Sequence, residues 1–124
     1  MEEQFNRLLA NSPDLKELDL SNNNIPFSKV KLLAEILEKN THLLSLNLER
    51  NNISDKGAIV LSKMLKKNTT LRKLNLVNNK ISAEGARALG KIINNKQHPI
   101  RISLVRNFVV TGCYDETMYH MIDT

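Results

Sequence analysis

The sequence contains no tryptophan, and aromatic residues make up only 4% of it. A core must therefore be aliphatic, drawn mostly from leucine and isoleucine. One cysteine is present, Cys113, which excludes an internal disulfide and suits a reducing compartment. No apolar run approaches the roughly 18 residues of a membrane helix. The opening stretch MEEQFNRLLANSPDL has no basic region followed by an apolar one, so no secretory signal is visible. These absences lead us to expect a cytoplasmic protein. The two glycosylation-type triplets at Asn52 and Asn68 are then expected to be chance matches.

What is present is an ordinary 41% of hydrophobic residues, enough for a real core in a chain of 124 residues. Eighteen Lys and Arg against thirteen Asp and Glu give a net charge of +5. No aromatic residues interleave with the cations, so a solvated lysine face is expected and no nucleic-acid partner.

The chain repeats itself every 28 residues. LKELDLSNNNI (15–25), LLSLNLERNNI (43–53) and LRKLNLVNNKI (71–81) share one pattern, with a degenerate fourth copy from Pro99. Leu15, Leu43, Leu71 and Pro99 open the unit. Leu18, Leu46, Leu74 and Ile102 follow, then Leu20, Leu48, Leu76 and Leu104. Asn23, Asn51, Asn79 and Asn107 come next, and Ile25, Ile53, Ile81 and Val109 close it. This is the leucine-rich repeat pattern L-x-x-L-x-L-x-x-N-x-I. Alternating leucines predict a short strand with both side chains on one face. The asparagine turns the chain off the strand, and stacked asparagines are expected to form a ladder.

The second half of each unit has helical period. Ala58, Leu61, Met64 and Leu65 recur at spacings of three and four, as do Ala86, Leu89, Ile92 and Ile93, and Val30, Leu33, Ile36 and Leu37. Ser54 and Ser82 are expected to cap their helices, with Pro26 in the same place. Gly57 and Gly85 are expected to let helix and strand backbones approach, and Asn40 and Asn68 to end helices. Residues 1–14 predict a capping helix, with Phe5, Leu8 and Leu9 under Leu33, Ile36 and Leu37. The fold class is α/β: a leucine-rich repeat solenoid, parallel strands on the concave face and helices on the convex. Such units bury their apolar faces only by stacking. The expected organisation is one domain over 1–124, with repeats at 15–42, 43–70 and 71–98. A degenerate fourth repeat and C-terminal cap are assigned to 99–124, where the segment after Val110 is either a short, modified cap, burying Tyr114, Met118 and Met121 as a helix, or a truncation point.

Reactive groups do not converge. His42, His98 and His120 have no cysteine, serine or carboxylate at a telling spacing, Cys113 matches no nucleophile signature, and the glycines belong to the repeat. We expect no enzyme, no cofactor and no metal.

Surface is what remains. Between the leucines, the residues pointing into the concave face are Glu17, Asp19 and Ser21; Ser45, Asn47 and Glu49; Lys73, Asn75 and Val77; Arg101, Ser103 and Val105. This face grades from acidic to basic and suits a protein partner. The convex side carries Lys29, Lys31, Lys39, Lys56, Lys63, Lys66, Lys67, Arg87 and Lys91, a patch open to an acidic surface.

The units NTHLLSLNLERNNISDKGAIVLSKMLKKN and NTTLRKLNLVNNKISAEGARALGKIINNK resemble the ribonuclease-inhibitor-like class of leucine-rich repeats, which implies a non-catalytic protein-binding segment. NRLLANSPDLKELDLSNNNIP, with LAEILEKNTHLLSLNL and LSKMLKKNTTLRKLNL, is similar to the repeat domain of tropomodulins and leiomodins. The matching residues are Asn11, Pro13, Asp14 and Leu15, then Met64 to Lys66, Asn68, Thr70 and Leu71. That resemblance implies a cytoskeletal module with actin as partner. The alternative is a regulatory or scaffolding segment of a larger repeat protein with another partner. A monomer is expected in the first case, end-to-end self-association in the second.

Overall fold

A strand, a turn and a helix fill each repeat. The computed structural model describes residues 1–95 and 99–108. The readings at His98, Val109, Cys113 and His120, and the cap expected from Tyr114, Met118 and Met121, lie outside the described residues. In chain order the elements are α1 (Glu2–Leu9), β1 (Glu17–Asp19), α2 (Phe27–Lys39), β2 (Ser45–Asn47), α3 (Ser54–Lys67), β3 (Lys73–Asn75), α4 (Ala83–Asn95) and β4 (Arg101–Ser103).

The strands form one parallel sheet in the order β1-β2-β3-β4. Parallel neighbours need a long crossover, and the helix of each unit supplies it. Leu18 pairs with Leu46, Leu46 with Leu74 and Leu74 with Ile102, so the repeat step is also the strand register. Each strand buries its middle residue and leaves its flanks exposed or half-buried. Behind the sheet, the leucine and isoleucine columns join Leu33, Leu37, Ala58, Leu61, Met64, Leu65, Ala86 and Leu89 in one continuous aliphatic core.

Asparagine wires the units together. Asn51 and Asn79 are completely buried. The Asn79 side-chain oxygen accepts the backbone N–H of Asn51 (2.9 Å) and of Ile53 (3.1 Å) from the preceding unit. Asn107 accepts in the same way from Asn79 and Ile81, both at 2.9 Å. The amide nitrogens run the other way: Asn51 and Asn79 both donate to the Leu48 carbonyl. The ladder therefore satisfies turn groups that helix and strand leave over.

A second ladder stands at the opposite end of the helices. Asn40 accepts the N–H groups of His42 and Leu43, and Asn68 those of Thr70 and Leu71. Their amide nitrogens donate to the Leu8 and Leu37 carbonyls of the preceding helices. Asn68 is 2% exposed, so its side chain belongs to the fold.

Several sequence expectations are corrected. Leu9 is 70% exposed, whereas Phe5 and Leu8 are buried. The Leu8 carbonyl takes the place held one unit later by that of Leu37, so α1 is offset by 29 residues rather than 28. An extra residue enters before β1, where Asn11 sits at φ 54°. Pro99 does not continue the opening leucine column, since it is exposed while Ile100 is buried. Leu43 and Leu71 donate their N–H groups to the second ladder, and proline has none to give.

Neither serine caps a helix as expected. Ser54 lies at φ 61° behind an Ile53 N-cap that makes no side-chain bond. The Ser82 hydroxyl donates to Asp55, whose Oδ1 also accepts the N–H of Ser82 and of Gly85 at 2.9 Å. A carboxylate from the neighbouring unit thus caps α4, favoured there over a hydroxyl by the partial positive charge of a helix start. The glycines make room for side chains, not for a strand backbone. A Cβ on Gly85 would stand 2.5 Å from Asp55 Oδ1 and 3.1 Å from Ala58 Cβ, and one on Gly57 2.5 Å from Ile53 Cγ2.

Candidate functional site

The concave face follows from strand geometry. Each three-residue strand turns its central leucine or isoleucine inward, so the residues on either side face outward. The register stacks them in two rows, Glu17–Ser45–Lys73–Arg101 and Asp19–Asn47–Asn75–Ser103. At about 4.8 Å between strands, a row spans roughly 14 Å. A shallow concavity of about 370 Å³ lies on it, lined by Glu17, Asp19, Ser45, Asn47, Lys73 and Asn75 above Leu18 and Leu46.

The two rows have different duties. Asp19, Asn47 and Asn75 each accept the backbone N–H two residues on, from Ser21, Glu49 and Val77, at 2.9 to 3.0 Å. These bonds close the turn off each strand, so the second row partly serves the fold. They also act on charge: hydrogen bonds from the Ser21 hydroxyl and then its backbone N–H hold the Asp19 carboxyl below its ordinary value, outweighing slight burial. Glu17, Lys73 and Arg101 in the first row are exposed and make no such bond among the described residues. Ser21, Glu49, Val77 and Val105 sit one step past the strands and are half-buried. Glu49 is engaged there, by the Asn75 amide at 3.4 Å and the Arg50 guanidinium at 3.9 Å. The Ser103 hydroxyl oxygen is buried without a hydrogen-bond partner among the described residues.

Sequence reasoning missed the backbone beside this face. Asn22, Arg50, Asn78 and Arg106 have positive φ, as do Asn24, Asn52 and Lys80. The signal was present in the NNN and NN runs: asparagine tolerates the left-handed region better than other side chains, so it flanks the ladder residue. His42 lies in the helix-to-strand loop, its Nδ1 3.1 Å from Asn11 Oδ1. Among the described residues no three His, Cys, Asp or Glu side chains gather as a metal site. No described helix is long and apolar enough to cross a membrane.

Comparison with known proteins places this arrangement. Residues 1–122 match the family model described as the TMOD/LMOD Leucine-rich domain. Among solved structures, one titled "Leiomodin-1 Actin-Binding Site 2 (ABS2)" superposes with a TM-score of 0.78 at 26% identity, over 94% of this chain and 66% of that one. The chain thus spans just under two thirds of that relative. A tropomodulin C-terminal domain from Caenorhabditis elegans superposes with a TM-score of 0.80 at 22% identity, over 97% and 72% of the two chains. That second likeness shows the fold. No curated protein matches the sequence. The match over nearly the whole chain, on a parallel sheet wired by asparagine ladders, shows that this protein belongs to the tropomodulin/leiomodin leucine-rich domain family.

Proposed function

We propose that this chain is a non-catalytic, actin-binding module of the cytoskeleton, working in the cytoplasm. The observation that carries the reading is the family match over residues 1–122, together with likeness to a leiomodin-1 structure titled as an actin-binding site. The concave face is the surface we assign to the protein partner. Its first row passes from Glu17 to Lys73 and Arg101 within about 14 Å, so a partner with the opposite order of charge is oriented as well as held.

Co-sedimentation with actin filaments, paired with an elongation assay at the slow-growing filament end, tests the module. Binding or slowed elongation supports it; neither leaves a leucine-rich repeat protein with another partner. The face is tested by the triple variant Glu17→Lys, Lys73→Glu, Arg101→Glu. Asp19 is left intact because its carboxylate closes a turn. The variant should melt like the parent and lose binding by about tenfold or more, several rim charges being reversed together. Unchanged affinity rules the concave face out.

A further inference from the structure

Away from the concave face, the first turns of α2 and α3 carry a feature that the repeat does not require. Phe27 opens α2 and is 42% exposed. Its counterparts one and two units later are Asp55 and Ala83, so no structural column calls for a ring there. Two ammonium groups flank it: Lys31 lies 5.8 Å and Lys56 5.6 Å from the ring centroid. Lys29, two residues along, stands 6.0 Å from the Phe5 ring.

Neither Lys31 nor Lys56 has a carboxylate partner among the described residues, where the ion pairs are Arg7–Asp14, Arg50–Glu49 and Lys67–Glu38. The first turn of α2 carries no acidic residue.

Exposed aromatics beside cations are the composition of interface anchors. A ring holding two lysine stems in place also lowers the entropy that those side chains lose on binding. We propose that Phe27, Lys31 and Lys56 form a docking site for an acidic linear segment of a partner protein, one apolar side chain resting on the ring and carboxylates meeting the ammonium groups. Charge complementarity selects this occupant. The apolar surface is one ring on a convex solenoid face, too little to insert in a flat bilayer, where stable anchoring needs more buried hydrocarbon. The site lies on the helices, away from the strand residues of the concave face.

The test is fluorescence anisotropy of the full chain with a fluorescein-labelled, glutamate-rich dodecapeptide bearing one central leucine. The expected result is saturable binding that weakens as salt rises. Lys31→Glu with Lys56→Glu should weaken it by about tenfold, and Phe27→Ser by about fivefold, as loss of a central anchor does. Lys63→Glu with Lys66→Glu, toward the other end of α3, should change affinity by less than about twofold if the site is local. All five positions are exposed, so thermal melts of the variants should match the parent. Three outcomes would overturn the proposal: no binding of the peptide, equal loss from the two lysine pairs, or Phe27-dependent capture by phosphatidylserine vesicles without peptide binding.

Discussion

Replacing Asn79 with alanine should cost this protein a large share of its stability, and the damage should appear in the preceding unit. The side-chain oxygen of Asn79 holds the N–H groups of Asn51 and Ile53, residues that are 0% and 3% exposed. Neither donor is in contact with bulk water in the folded protein. A buried orphaned group costs about 1–3 kcal/mol, so two cost about 2–6 kcal/mol. On the carbonyl side the loss is smaller, because Leu48 keeps the amide of Asn51 as a donor. Against about 5–15 kcal/mol for a whole domain this is a severe lesion. Asn51→Ala should be milder, at about 0.5–1.5 kcal/mol, because its oxygen holds one N–H only, that of the exposed Asn23. Urea unfolding followed by circular dichroism gives both numbers, with Lys63→Ala on the exposed face of α3 as reference at within about 0.5 kcal/mol. Amide exchange supplies a local readout, since Asn51 and Ile53 should lose protection in Asn79→Ala. A cost equal to the reference, or equal costs for the two asparagines, would refute the reasoning that the ladder is an energetic element with unequal rungs.

Gly85→Ala should destabilise by about 1–3 kcal/mol despite alanine's better helix propensity, because the new methyl meets Asp55 and Ala58; a neutral or raised Tm would show that α4 shifts freely. Lys80→Gly should stabilise by about 0.5–1 kcal/mol, since Lys80 is exposed at φ 59°. Asn24→Gly, at φ 46°, should be nearly neutral, and equal effects in denaturant titrations would count against strain at Lys80. The folded state holds Asp19 below its ordinary 3.8, so this group contributes stability above that pH and loses it as pH falls through the folded value. Asp19→Asn keeps an acceptor for Ser21, as Asn47 and Asn75 do in their units. It should flatten the dependence of Tm on pH in the acid range below about 3.8, and an unchanged slope would show that other carboxyls set it.

The 28-residue period, the strand and helix in each unit, and the buried columns from Leu18 to Ile102 are determined by the sequence alone. Apolar spacing is a local property, and a repeat states it several times over. The ladder asparagines were legible for the same reason. Their flanking asparagines were not, because a positive φ shows only once the turn has its shape. Asp55 looks in sequence like any acidic residue in a first helical turn. Only the stacking of α3 against α4 makes it the cap of the next helix and explains Gly85. Phe27 likewise reads as one more apolar residue, with Lys31 one turn along its own helix, until α3 brings Lys56 to the same ring. Among the concave residues, periodicity indicated which point outward, whereas the parallel register decided which stand together in rows. The tertiary structure alone separated Asp19, Asn47 and Asn75, which close turns, from Glu17, Lys73 and Arg101, which do not. Period is written along the chain, but partners between units lie about 28 residues apart, and only packing selects them.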